Sequence, residues 1–196
     1  MSHIPTRDEA WGLLTAHIES ENLRRHCLAV AAVMEHFAKK MGEPPDKWYI
    51  IGLVHDLDYE RHPDRHCEVT PIILREAGWP EDYIRAILSH GWKRVTDVEP
   101  VHPMEKVLFT VDELTGLIAA TALVRPSRSI LDLTPKSVKK KWKEKSFSAG
   151  VDRGLIEEGA RMLGMELSEL IAETIEGMKP VAASIGLEGN PATPSS

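Results

Sequence analysis

The apolar run IIGLV ends in an adjacent histidine and aspartate, His55-Asp56. An imidazole and a carboxylate beside so apolar a segment are costly to bury unless a metal ion or a hydrogen-bond network compensates them. At a helix end the same dipeptide can also serve simply as a cap. Asp112 poses the problem more sharply, because it lies in the most apolar stretch of the chain, with Leu108, Thr115, Gly116 and Ala119 on its own helical face. Unpaired there, it would cost several kcal/mol or stay protonated. His26 shares a face with Val30, Val33 and Phe37 and is expected to point into the core, where a lone histidine is commonly a hydrogen-bonded structural residue. His90 follows Tyr83, Ala86 and Ile87 at the C-terminal end of a helix, where the dipole favours a cation. His66 opens HCEVTPIIL. Together these are four imidazoles and two carboxylates. Such a mixture suits borderline divalent metals (Fe, Mn, Co, Ni or Zn), whereas Mg and Ca prefer mostly oxygen.

The elements that must hold these residues are helical. Apolar residues recur at three- and four-residue spacing, and alternating β-branched runs bounded by turns are missing, so the expected fold is all-α. Helices are predicted at about Arg7 to Glu19, with Trp11, Leu14 and Ile18 on one face, and at Glu21 to Met41 after a Ser20 cap. Others run from Pro45 into His55-Asp56, from Cys67 to Glu76, from Glu81 to His90 and from Met104 to Val124. A Lys-rich helix from about Pro135 to Lys145 and two more, Val151 to Leu163 and Leu167 to Met178, complete the set. One domain over residues 1–185 is expected, its chemistry-bearing part at about 20–125 and its C-terminal helices at about 135–180. The tail from Gly186 to Ser196 has nothing to bury and is expected to be disordered.

With 196 residues, 42% of them apolar and 28% charged, the chain supports one sizeable core and is not a disordered or low-complexity protein. Two cysteines are too few for a disulfide framework, no run approaches a membrane span, and the N-terminus lacks the apolar core of a signal peptide. A cytoplasmic location is therefore expected. The net charge of −6 argues against a general nucleic-acid binder. It conceals an uneven distribution, since Arg125 to Arg153 carries nine basic and three acidic side chains, a net of +6 that leaves −12 for the remainder. Within it Lys136, Lys139, Lys140 and Lys143 share a helical face that reads first as a solvated one. Arg125, Arg128, Lys136, Lys145 and Arg153 are also candidates for steering or clamping an anionic, phosphorylated substrate. Of the other histidines, His17 reads as exposed, His3 lies in a fraying terminus and His36 flanks the buried stripe of its helix, while His62 competes with the favoured His66 and His102 stays open. Cys27 and Cys67 each follow a candidate ligand directly; on a helix that turns them about 100° away, so both read as packing residues.

The segments RRHCLAV, GLVHDLD and FTVDELTG carry a His, then an adjacent His-Asp, then a distant Asp, and in this the chain resembles the HD superfamily of metal-dependent phosphohydrolases. The resemblance implies an HD-type helical bundle, with His26, His55, Asp56 and Asp112 as metal ligands and His55 and Asp56 as catalytic residues. His66 and His90 are similar to the two extra histidines of the dinuclear branch, in which the Asp of the pair bridges two metals, a role that would fall to Asp56. Later segments, from VDELTGLIAATALVRPSRSI onward, resemble small stand-alone bacterial HDIG-type proteins, although this chain reads HDLDY where many read HDIGK, with Asp58 and Tyr59 in place of Gly and Lys. The implied activity is hydrolysis of a small phosphorylated molecule, a nucleotide or other phosphomonoester, by a metal-activated hydroxide with one or two divalent transition metals. Two rivals share the ligand set: a di-iron oxygenase such as myo-inositol oxygenase, and a non-catalytic metal- and nucleotide-binding regulatory module. A homodimer is a fair expectation, with no segment singling out an interface.

Overall fold

A computed structural model describes residues 3–191. Among these the chain forms nine α-helices and no strand: α1 Arg7–His17, α2 Glu21–Met41, α3 Pro45–Val54, α4 Thr70–Glu76, α5 Glu81–Ser89, α6 Pro103–Leu123, α7 Pro135–Trp142, α8 Arg153–Leu163 and α9 Leu167–Met178. Short 3-10 turns occur at Pro63–Arg65 and Lys179–Val181. The all-α expectation holds. No described helix is long and apolar enough to cross a membrane.

Local chemistry sets most of the boundaries. Thr6 and Glu9 form a reciprocal capping box at the start of α1, and the Ser20 hydroxyl accepts from Leu23 N at the start of α2. Gly42, at φ +71°, ends α2 in the left-handed conformation that costs glycine least. Helix α2 is the central element, packed by α3, α6 and α9 and burying Val30, Val33, Met34 and Phe37. Its crossing with α3 is close: a Cβ on Gly52 would stand 2.9 Å from Ala31 Cα. Helix α6 buries Val107, Leu108, Val111, Leu114, Leu117 and Ile118, so the two longest helices run side by side through the core.

Four expectations are corrected. Trp11 is exposed, so α1 docks through Ala10, Leu14 and Ile18 instead. Helix α4 begins at Thr70 rather than Cys67, because Asp58 accepts from the backbone N–H groups of Val69 and Thr70 and holds residues 66–69 in a non-helical turn. The Lys-rich helix stops at Trp142, where Arg153 donates to the carbonyls of Trp142, Glu144 and Phe147 and folds the following chain back. Residues 186–190 do bury surface: Leu187 is almost wholly covered and accepts from Ile130 N, and Asn190 N donates to Ser127 O. The end of the expected tail, 192–196, lies outside the described residues.

Candidate metal centre

Helix α3 delivers His55 and Asp56 from its C-terminal end to the centre of the bundle, where α2 supplies His26, α6 supplies Asp112, the turn before α4 supplies His66 and the end of α5 supplies His90. All six residues meet. His26 Nε2 lies 3.0 Å from Asp112 Oδ1 and 3.8 Å from Asp56 Oδ2, and His55 Nε2 is 3.4 Å from both of those oxygens. On the other side, His66 Nε2 and His90 Nε2 are 3.0 Å apart, and each is 3.5 Å from Asp56 Oδ1. Asp56 thus turns one carboxylate oxygen to each half of the cluster. His26, Asp56 and Asp112 reach a cavity of about 260 Å³, while His55 is fully buried behind them.

The outer contacts fix what the inner atoms can be. His55 Nδ1 donates to Gly52 O at 2.8 Å, His90 Nδ1 to Ile87 O at 2.5 Å and His66 Nδ1 to Asp58 Oδ1 at 2.8 Å. Each of these rings in its neutral form therefore presents a bare Nε2 lone pair to the centre, the tautomer that a metal ligand requires. His55 Nε2 is buried with no hydrogen-bond partner, an arrangement that costs roughly 1–3 kcal/mol unless something else uses the lone pair. Two inward lone pairs 3.0 Å apart on His66 and His90 also need a cation or a proton between them. The donor set fits a divalent metal, and the atoms are gathered closely enough to hold one in each of two groups: His26, His55, Asp56 and Asp112, and His66, Cys67 and His90.

Protonation follows the same logic. Burial pushes Asp56 and Asp112 upward, but the surrounding histidines outweigh it and hold both carboxyls below their ordinary range. Burial pushes the His66 imidazolium down, but the Asp58 hydrogen bond dominates and lifts it to about 9. Cys67, raised by burial, is brought down to about 7 by His90 and His66.

The remaining histidines and the cysteines fall into place around this site. His66, the favoured of the two competing histidines, joins the cluster, and His62 occupies the N-cap position of the Pro63–Arg65 turn without a side-chain cap. His102 caps α6 by accepting from Met104 N, and His36 pairs with Glu173 at 2.7 Å. His26 is not sealed in the core; its side chain keeps about a quarter of its surface at the cavity wall. Cys27 is buried packing as expected, whereas Cys67 is not turned away: its Sγ lies 3.9 Å from His90 Nε2. The helical rotation that separated it from His66 does not apply, because residue 67 is in a turn at φ +68°.

The five basic candidates lie elsewhere than the cavity. Arg125 pairs with Asp132 at 2.5 Å, Arg153 is occupied by three backbone carbonyls, and Arg128, Lys136 and Lys145 are exposed. The cation at the cavity is Arg94, ion-paired to Glu113, which in turn accepts from Asp152 N. Sequence reasoning missed Arg94 and Glu113, since nothing in GWKRVTD marks one cation over its neighbours. Asp58 and Tyr59, which first read as a departure from a pattern, have places here: Asp58 orients His66, and the Tyr59 ring meets the His66 ring edge-on at 5.2 Å.

Fold and site together define an all-α protein with a buried histidine–aspartate centre able to hold metal. The family model of the HD domain matches residues 23–117, a stretch that contains all six clustered residues. No curated protein matches the chain.

Proposed function

We propose that the protein is a metal-dependent hydrolase of a small phosphorylated molecule, a nucleotide or other phosphomonoester, of the HDIG type. The observation that carries this reading is the division of Asp56, with Oδ2 toward His26 and His55 and Oδ1 toward His66 and His90. His26, His55 and Asp112 complete one half, His66 and His90 the other. One or two divalent transition metals bound there would supply Lewis acidity, acidifying water and drawing charge from phosphoryl oxygens. The chain's own groups do the rest. Asp56 keeps the two halves one carboxylate apart, and His55, anchored through Nδ1 on Gly52 O, cannot rotate away. Arg94, steadied by Glu113, stands where an anionic oxygen would enter. Gly150 and Val151 line the same cavity, so the segment after α7 contributes shape to the site while the lysines of α7 contribute long-range field.

The test is phosphate release from a panel of nucleotides and sugar phosphates by metal-loaded protein. Release is expected from the wild type and is lost in His55→Ala and Asp56→Ala proteins that still melt cooperatively. Oxygen consumption by reduced iron-loaded protein without phosphate release would transfer the assignment to the oxygenase reading, and protein that binds no metal would end both.

A further inference from the structure

Cys67 is the one soft donor at the cluster, and three features of the fold place it there. The residue adopts φ +68°, a left-handed conformation disfavoured for a residue with a side chain. That turn swings the thiol onto the same side as the His66 imidazole. Gly91 leaves the space the sulfur occupies, since a Cβ there would stand 3.0 Å from Cys67 Sγ. The resulting Sγ to His90 Nε2 distance is 3.9 Å, and the donor atoms of His66, Cys67 and His90 all lie within 4.8 Å of one another. A tetrahedral zinc site built from bonds of about 2.05 Å to nitrogen and about 2.3 Å to sulfur has N···N edges near 3.3 Å and N···S edges near 3.6 Å. The edges here are 3.0 and 3.9 Å, so small side-chain rotations separate the cluster from that geometry.

We propose that Cys67 is a metal ligand, completing with His66, His90 and Asp56 Oδ1 a nitrogen, sulfur and oxygen set that makes the two halves of the centre chemically unequal. This rests on the metal-centre reading above and sharpens it. The half made by His26, His55, Asp56 Oδ2 and Asp112 is all nitrogen and oxygen. The half with Cys67 selects zinc, iron or cobalt over manganese and magnesium, because thiolate favours softer ions. On binding, the S–H proton passes to solvent and the sulfur lone pair forms the metal bond.

The experiment titrates the full-length, metal-free chain with cobalt(II) alone and reads the near-ultraviolet sulfur-to-cobalt charge-transfer band. The band is expected in the wild type and in Cys27→Ser, and is expected to vanish in Cys67→Ser and Cys67→Ala, with roughly tenfold or greater loss of cobalt affinity in that half. Manganese affinity of the other half should change far less. Cobalt-loaded wild type without the band, or a band that survives in Cys67→Ser, overturns the assignment. Phosphate release from the same preparation keeps the two readings apart: a band without release supports the ligand and sinks the hydrolase, and release without a band does the reverse. Wild type that takes up no cobalt overturns both.

Discussion

Replacing Asp58 with asparagine isolates the tautomer argument. The wild-type carboxylate accepts on Oδ1 from His66 Nδ1 at 2.8 Å and on Oδ2 from Thr70 N at 2.8 Å and Val69 N at 3.1 Å. An amide has only one accepting end. In Asp58→Asn, keeping the oxygen on the two backbone donors turns the NH2 toward His66 Nδ1, which must then accept. The ring proton moves to Nε2, which faces His90 and Asp56 and is no longer a ligand. Restoring the metal-binding tautomer means setting the NH2 against two backbone N–H groups, a loss of about 1 kcal/mol for each hydrogen bond. The His66 half should therefore bind metal about 10–100-fold more weakly, or about 1.4–2.7 kcal/mol. The metal-free protein should keep most of its stability. Asp58→Ala should behave differently, because it strands two backbone donors, at roughly 1–3 kcal/mol each where they are buried. Chelator-competition titration with one metal and denaturant melts of all three proteins separate these effects. Wild-type affinity in Asp58→Asn, or melting as early as Asp58→Ala, would refute the reasoning.

Two further outcomes follow from the packing and the surface charges. Gly52→Ala puts a methyl 2.9 Å from Ala31 Cα, which is backbone and cannot rotate away, so a loss of about 1–3 kcal/mol is expected in chemical melts, together with weaker metal binding through displaced His55; unchanged melting would mean that α2 and α3 part freely. Glu173 is held below its ordinary value of 4.5, first by Lys40 and then by His36 against the effect of burial, so its ion pairs contribute stability above that value and lose it as pH falls through the lower folded one. Glu173→Gln should cost up to about 1 kcal/mol near neutrality and nothing at strongly acid pH, and a cost that grew on acidification would contradict the sign.

The helices and the six-residue cluster were legible because both leave local marks. Ser20, Gly42 and Pro45 punctuate α2 and α3 in the sequence itself, and His26, His55, Asp56 and Asp112 are costly polar groups in apolar surroundings that announce a shared compensating partner, while His66 and His90 were added by the resemblance. What escaped depended on contacts between distant segments. The placement of Cys67 hangs on Asp58 reaching forward to Val69 and Thr70, which unwinds the turn that helical periodicity would have continued. Arg94 gains its position from Glu113 on α6, and Arg153 loses its freedom to the carbonyls of a loop it closes. A charge count weighs these arginines equally with the exposed lysines. Only their partners tell them apart.

The two halves of the centre also differ in how much chain they close. His26 and Asp112 are 86 positions apart, while His66 and His90 are separated by 24. An ion in the first half staples the beginning of the bundle to its middle; one in the second only clasps a local stretch between the end of α3 and the end of α5. With loop-closure entropy growing as the logarithm of length, the staple removes about 1 kcal/mol more disorder from the unfolded chain than the clasp. An ion in the first half would thus fasten the whole domain, and one in the second would order only the segment from Asp56 to His90.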